Sequence, residues 1–92
     1  MNKQAFLIMY HNDYYILERL LKQIDSKNFD IYIHVDKKVK NFDFEYTKKI
    51  LKKSKIYFVK RINVKWSAYS QIKCELILLN EATKKHYSYY HL

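Results

Sequence analysis

Two hydrophobic rhythms take turns along this chain. Some stretches are short apolar runs or alternate at period two; others repeat every three or four positions. Ala5-Phe6-Leu7-Ile8-Met9-Tyr10 is a short apolar run and predicts a buried first strand. His11-Asn12-Asp13 is a polar turn in which Asn12 or Asp13 supplies a helix N-cap. The helix is predicted from Tyr14 to Asp25, with Ile16, Leu17, Leu20, Leu21 and Ile24 on its inner face. Glu18 and Lys22 form an i,i+4 pair on the outer one. In Phe29 to Val35, Ile31, Ile33 and Val35 alternate with Tyr32 and His34, the signature of a second strand. It runs out into the charged tip Asp36-Lys37-Lys38.

The alternation continues. Asp43 to Lys53 predicts a second helix, acidic at its start and basic at its end, with Tyr46, Ile50 and Leu51 facing inward. Lys55 to Lys60 predicts a third strand. After a loop, Ser67 to Lys85 predicts a third helix with an inward stripe of Ala68, Ile72, Leu76, Leu79 and Thr83, widened by Ile77 and Leu78. Tyr87 to Leu92 is β-prone and predicts a fourth strand. The order β-α-β-α-β-α-β predicts one α/β domain over residues 1–92, built on a parallel sheet with right-handed crossovers. In such sheets ligands bind outside the carboxyl ends of the strands. That rule gathers Tyr10 and His11, Asp36, Arg61, Trp66 and Ser70 at one edge as candidate ligand contacts. Asp36 fits two roles equally from sequence: accepting from a ribose hydroxyl or base N–H, or capping its own turn. His34, flanked by apolar residues, is expected to be structural.

Composition changes this picture in three ways. The chain has no Gly and no Pro, so Asn28, Asn41, Asn63 and Asn80 are the expected stand-ins where a turn needs positive φ. Its formal net charge is +9 and its pI about 9.6, which permits an anionic partner. A lysine-rich composition bias accounts for most of that charge, and Lys37 and Lys38 are expected to be surface charge. Cys74 is the single cysteine, which rules out an intrachain disulfide and suits a reducing compartment. It lies in an apolar helical run and is expected to act as a small buried hydrophobe. No stretch approaches the length of a transmembrane helix, and a cytoplasmic location, with peripheral membrane association left open, is expected.

Several chemistries are disfavoured. Without Gly there is neither a P-loop nor a Gly-rich dinucleotide fingerprint. The four histidines lack metal-ligand spacing, and Asp43-Phe44-Glu45 is better explained by a helix start than by a divalent ion. No signature of a nucleic-acid-binding fold accompanies the basic charge, so nucleic acid is not an expected partner.

Four segments carry a resemblance. They are Ala5-Phe6-Leu7-Ile8-Met9-Tyr10-His11, Ile33-His34-Val35-Asp36-Lys37-Lys38, Val64-Lys65-Trp66-Ser67-Ala68-Tyr69-Ser70 and Tyr89-Tyr90-His91-Leu92. In this order and spacing the chain resembles the N-terminal part of the core-2/I-branching β-1,6-N-acetylglucosaminyltransferase family, which includes the peptide O-xylosyltransferases. The resemblance implies a GT-A-type domain that binds UDP-GlcNAc or UDP-xylose and needs no metal or other cofactor. It implies that Asp36 helps hold the uridine and that the segment after the first strand lines the same pocket. It further implies an inverting transfer to a glycan or peptide hydroxyl, with a carboxylate base on the acceptor. Ser67 and Ala68 stand where family members often carry Gly. The family's acceptor site and catalytic Glu lie beyond the position of Leu92, so the expectation is a binding half-domain that is inactive alone. The alternative is a small basic module for nucleic acid or anionic surfaces.

Overall fold

The computed structural model describes residues 3–65 and 68–91. Seven elements alternate: β1 (Gln4–Tyr10), α1 (Tyr14–Ile24), β2 (Phe29–Val35), α2 (Phe44–Lys49), β3 (Lys55–Phe58), α3 (Ala68–Ala82) and β4 (Tyr89–His91). The strands form one four-stranded sheet in the order β3-β2-β1-β4, parallel throughout. This is a small Rossmann-like α/β half-domain. Its β1 and β2 pair over their whole length, from Gln4 opposite Phe29 to Tyr10 opposite Val35.

Period-two alternation divides the sheet into two cores. Ile31, Ile33 and Val35 of β2 pack with Leu17 and Leu21 of α1 and with Leu51. Ala5, Leu7 and Tyr32 pack on the other face with Val59, Val64 and the α3 residues Cys74, Leu78 and Ala82. Fully burying one such aliphatic side chain contributes about 1.5–3 kcal/mol. Strand β2 is therefore covered on both sides, and its even positions Asp30, Tyr32 and His34 are as buried as its odd ones.

Helix α1 starts where Asp13 caps it, its side chain accepting from the Ile16 N–H. Only Leu17 and Leu21 of the expected inner face are buried; Ile16 and Leu20 are exposed, because the helix rests on the sheet along a narrower stripe. Helix α2 is shorter than the charge pattern predicts and stops at Lys49. The Asp25 carboxylate explains the stop. It accepts from the N–H groups of Lys52, Lys53 and Ser54 at 2.7, 2.9 and 2.8 Å, bending that segment into a turn instead of helix. Thr47, not Tyr46, faces inward, while Leu51 reaches the core from the turn.

Helix α3 corrects the expected stripe. Cys74, Leu78 and Ala82 face the sheet, whereas Ile72, Leu76 and Thr83 are exposed; the Ala68 side chain is outside the described residues. Apolar residues go almost round this helix, so periodicity alone does not phase it. Small side chains at Cys74 and Ala82 let the helix approach closely. The helix ends at Ala82 rather than Lys85, and β4 holds only Tyr89–His91. Tyr87, expected in that strand, lies before it and turns its hydroxyl to Asp30. Of the four asparagines expected at positive φ, only Asn41 adopts it; Asp13 is the other residue that does, both with φ 62°. Their short polar side chains make them the non-glycine residues best suited to that region.

Candidate functional site

The carboxyl ends of β1 and β2 are tied together. The Asp36 N–H donates to the Tyr10 carbonyl at 2.9 Å, one residue past the paired ladder. Asp36 is 1% exposed. Its Oδ1 accepts from the Lys38 N–H at 2.9 Å, which is the self-capping turn that Asp favours. Oδ2 has a different environment. It is buried and makes no hydrogen bond among the described residues. The Lys38 ammonium lies 3.4 Å away but is not aligned to donate to it. That ammonium donates instead to Asn63 Oδ1, at 3.0 Å, and to the Val64 carbonyl. Burial alone raises the Asp36 carboxyl; the Lys38 N–H, the Lys38 ammonium and the nearby Val64 N–H outweigh it and hold the group below the usual carboxylate range. The site thus contains a carboxylate that stays ionised with one oxygen short of a donor, a costly state for a buried charge.

Arg61 is the second anchor. Its Nε donates to the Val35 carbonyl at 3.0 Å, and one Nη donates to the carbonyls of Asp36 and Val39 at 3.0 and 2.6 Å. The guanidinium also lies over the Phe44 ring at 5.7 Å. It fixes the turn that carries Asp36. His34, one step inside the strand, accepts from the Ile62 N–H through Nε2 at 3.0 Å. Burial lowers its pKa most strongly and keeps it neutral, a satisfied core histidine as the sequence suggests. Ile62 returns a carbonyl to the Lys37 N–H at 3.0 Å, so the loop after β3 is stitched to the end of β2.

The other candidate residues surround this turn unevenly. The Tyr10 ring packs against Tyr14 and Phe42, with centroids 6.3 and 5.3 Å apart. A pocket of about 210 Å³ opens beside it, walled by Tyr14, Phe42 and Tyr46 and rimmed by Lys40 and Asp43. His11 is exposed in the turn after β1, beside a second groove of about 280 Å³ along Ile8 to Asp13. Ser70 is half-buried in the first turn of α3, four residues before Cys74 and on the same helix face. Burial first, then the Asp36 and Glu75 charges, push the Cys74 thiol up to about 11, so it is protonated and inert. The influence of Asp36 there places the start of α3 above the same edge. Trp66, and Ser67 where the third helix is expected to begin, lie outside the described residues.

Tyr10, Asp36 and Arg61 are therefore brought together directly, with His11 adjoining. Lys38 differs from expectation. It bridges Asp36 to the loop after β3 as well as carrying surface charge, and the only signal was the Asp-x-Lys spacing of an Asx turn. Four other lysines, Lys37, Lys40, Lys60 and Lys65, are exposed here, and their ammonium groups have no partner among the described residues. Among those residues no group of three His, Cys, Asp or Glu side chains is placed to hold a metal ion. No helix of the structure is long and apolar enough to cross a membrane. Neither a protein-family model nor a curated protein matches the chain.

Proposed function

We propose that this domain is the UDP-sugar-binding part of a glycosyltransferase, similar to the core-2/I-branching family, which transfers GlcNAc or xylose to a glycan or peptide hydroxyl. The observation that carries the reading is the Asp36 carboxylate at the carboxyl end of β2, buried, ionised and with Oδ2 paired only to the Lys38 ammonium at 3.4 Å and without a hydrogen bond among the described residues. The uracil N3–H or a ribose hydroxyl supplies the missing donor as Lys38 swings aside. The aromatic walls around Tyr10 suit a base, since a flat π-system stacks on them without demanding a particular hydrogen-bond pattern. The uncompensated lysines at the same edge suit a diphosphate and supply positive charge without a metal. Arg61 acts by holding the turn in place. The chain's own residues receive binding roles only; no catalytic residue is assigned to them, and the domain alone is expected not to turn over.

Titration of the folded domain with UDP, followed by amide chemical shifts, tests this. Saturable shifts at Tyr10, His11 and Asp36 to Lys38 are expected. Silence at those residues at roughly millimolar UDP, where even a weak site of about −4 kcal/mol responds, overturns it. The charge favours one competing reading, a basic module for nucleic acid. Generic duplex DNA bound with a steep salt slope, alongside indifference to UDP, selects that instead.

A further inference from the structure

At the amino end of the sheet a second charged cavity is built from different residues. Lys3 precedes β1, and Asp30 of β2 lies opposite Lys55 of β3. Asp30 is 3% exposed and fully satisfied. Lys3 Nζ donates to Oδ1 at 3.1 Å and the Tyr87 hydroxyl donates to Oδ2 at 2.7 Å. Lys3 and Asp30 therefore cancel each other's charge. Lys85 and Lys55 form no ion pair among the described residues, although the Asp30 charge also acts on Lys85. The Lys85 ammonium donates to the Tyr57 hydroxyl at 2.5 Å and sits 4.3 Å from that ring's centroid. Tyr57 is itself stacked on buried Tyr32, with centroids 4.9 Å apart. Lys55 is exposed, and its side chain has no partner among the described residues. Both lysines line one cavity of about 250 Å³, together with Asp30 and His86.

We propose that this cavity binds a phosphate or sulfate group between Lys55 and Lys85. Two like charges beside one concave space attract a compact dianion whose oxygens accept from both. Lys85 is already held by the Tyr57 ring and hydroxyl, so little side-chain freedom is lost when the anion arrives. Asp30 does not compete, because the Tyr87 hydroxyl and Lys3 use both of its oxygens. The site lies about 20 Å from Asp36 along β2, at the strand rise of roughly 3.3 Å per residue, and does not depend on the nucleotide reading. The group belongs either to a lipid headgroup or to a soluble phosphorylated or sulfated ligand; the chemistry of recognition is the same.

The test follows amide shifts while inorganic phosphate is titrated at constant ionic strength. Saturable shifts centred on Lys55, Tyr57 and Lys85 are expected, with affinity about tenfold weaker in Lys55→Glu and in Lys85→Met. The Lys55 side chain makes no hydrogen bond or ion pair among the described residues, so Lys55→Glu is expected to keep the fold, which its melting curve checks, and it serves as the decisive variant. A response that does not saturate, one equally large at Lys48 in α2 and Lys73 near the start of α3, or an unchanged affinity in Lys55→Glu overturns the proposal. Phosphatidylcholine vesicles with and without phosphatidylserine then separate the sources. Lys55-dependent binding to the anionic vesicles supports a headgroup, and saturable phosphate binding without vesicle binding supports a soluble ligand.

Discussion

Asp30, in β2, and Asp36, one residue past its end, are six positions apart, and both are buried beside a lysine. Their surroundings differ in one respect. Asp30 has a donor on each oxygen, from Lys3 and Tyr87. Among the described residues Asp36 has a hydrogen bond on Oδ1 only, with the Lys38 ammonium 3.4 Å from Oδ2. The first carboxylate is closed and joins β2 to β1 and to the segment before β4. The second is left with hydrogen-bonding capacity at the end of the sheet where parallel folds receive ligands. Burial and an ion pair therefore do not tell these two carboxylates apart; the accounting of each oxygen does.

Substitutions break this contrast in a graded order. Asp30→Ala is expected to cost the most, about 3 kcal/mol of unfolding free energy in urea, because it breaks a buried ion pair and leaves the part-buried Tyr87 hydroxyl with only the Tyr32 hydroxyl as partner. That value is at the low end for a broken buried pair, since Lys3 remains partly hydrated. Tyr87→Phe opens one oxygen of Asp30 and makes it resemble Asp36; the expected cost is about 1–2 kcal/mol.

His34, between the two aspartates on the same face, adds a pH dependence. Its folded pKa is lowered, so the unfolded chain binds the proton more readily. The stabilisation is complete above the unfolded value near pH 6.5 and is lost as pH falls below it, by at most about 1.4 kcal/mol per pH unit. Melting curves of wild type and His34→Gln should converge in slope above that pH and diverge below it. The Asp36 pKa is also lowered, but from the carboxylate range, so its contribution is lost only as pH falls below about 4. Asp36→Asn keeps an acceptor for the Lys38 N–H and is expected to change stability by less than about 1 kcal/mol. It should also flatten the acid limb below pH 4 and abolish the UDP response at Tyr10 and His11. A variant that keeps that response removes Asp36 from the site.

Much of this contrast was visible in the chain itself. The alternation of Ile31, Ile33 and Val35 located β2, and the charged tip marked its end. The strand-helix order was enough for the parallel sheet, because a parallel connection needs a crossover and each helix supplied one. What escaped was nonlocal. Nothing near Asp25 announces that it will bind a turn at Lys52 to Ser54 and shorten α2. Nothing in the even apolar coating of α3 says that Cys74 and Leu78, not Ile72 and Leu76, face the sheet. Arg61 looked like a ligand contact and Lys38 like surface charge; in the fold Arg61 reaches three carbonyls and Lys38 reaches a carbonyl and an amide oxygen across a loop. Long basic side chains are hard to assign from sequence because their reach exceeds the local pattern that reveals them.

The ladder also sets an order of assembly. Strands β1 and β2 meet across an offset of 25 residues, Gln4 with Phe29, whereas β4 reaches β1 across 85, Gln4 with Tyr89. Closing the longer loop costs about 1 kcal/mol more chain entropy, and only three residue pairs offset it. The β1-β2-β3 unit should therefore form first and β4 should dock late. In native-state hydrogen exchange, the amide protons of Tyr89 to His91 should then be released by a partial opening that leaves those of Ile31 to Val35 protected.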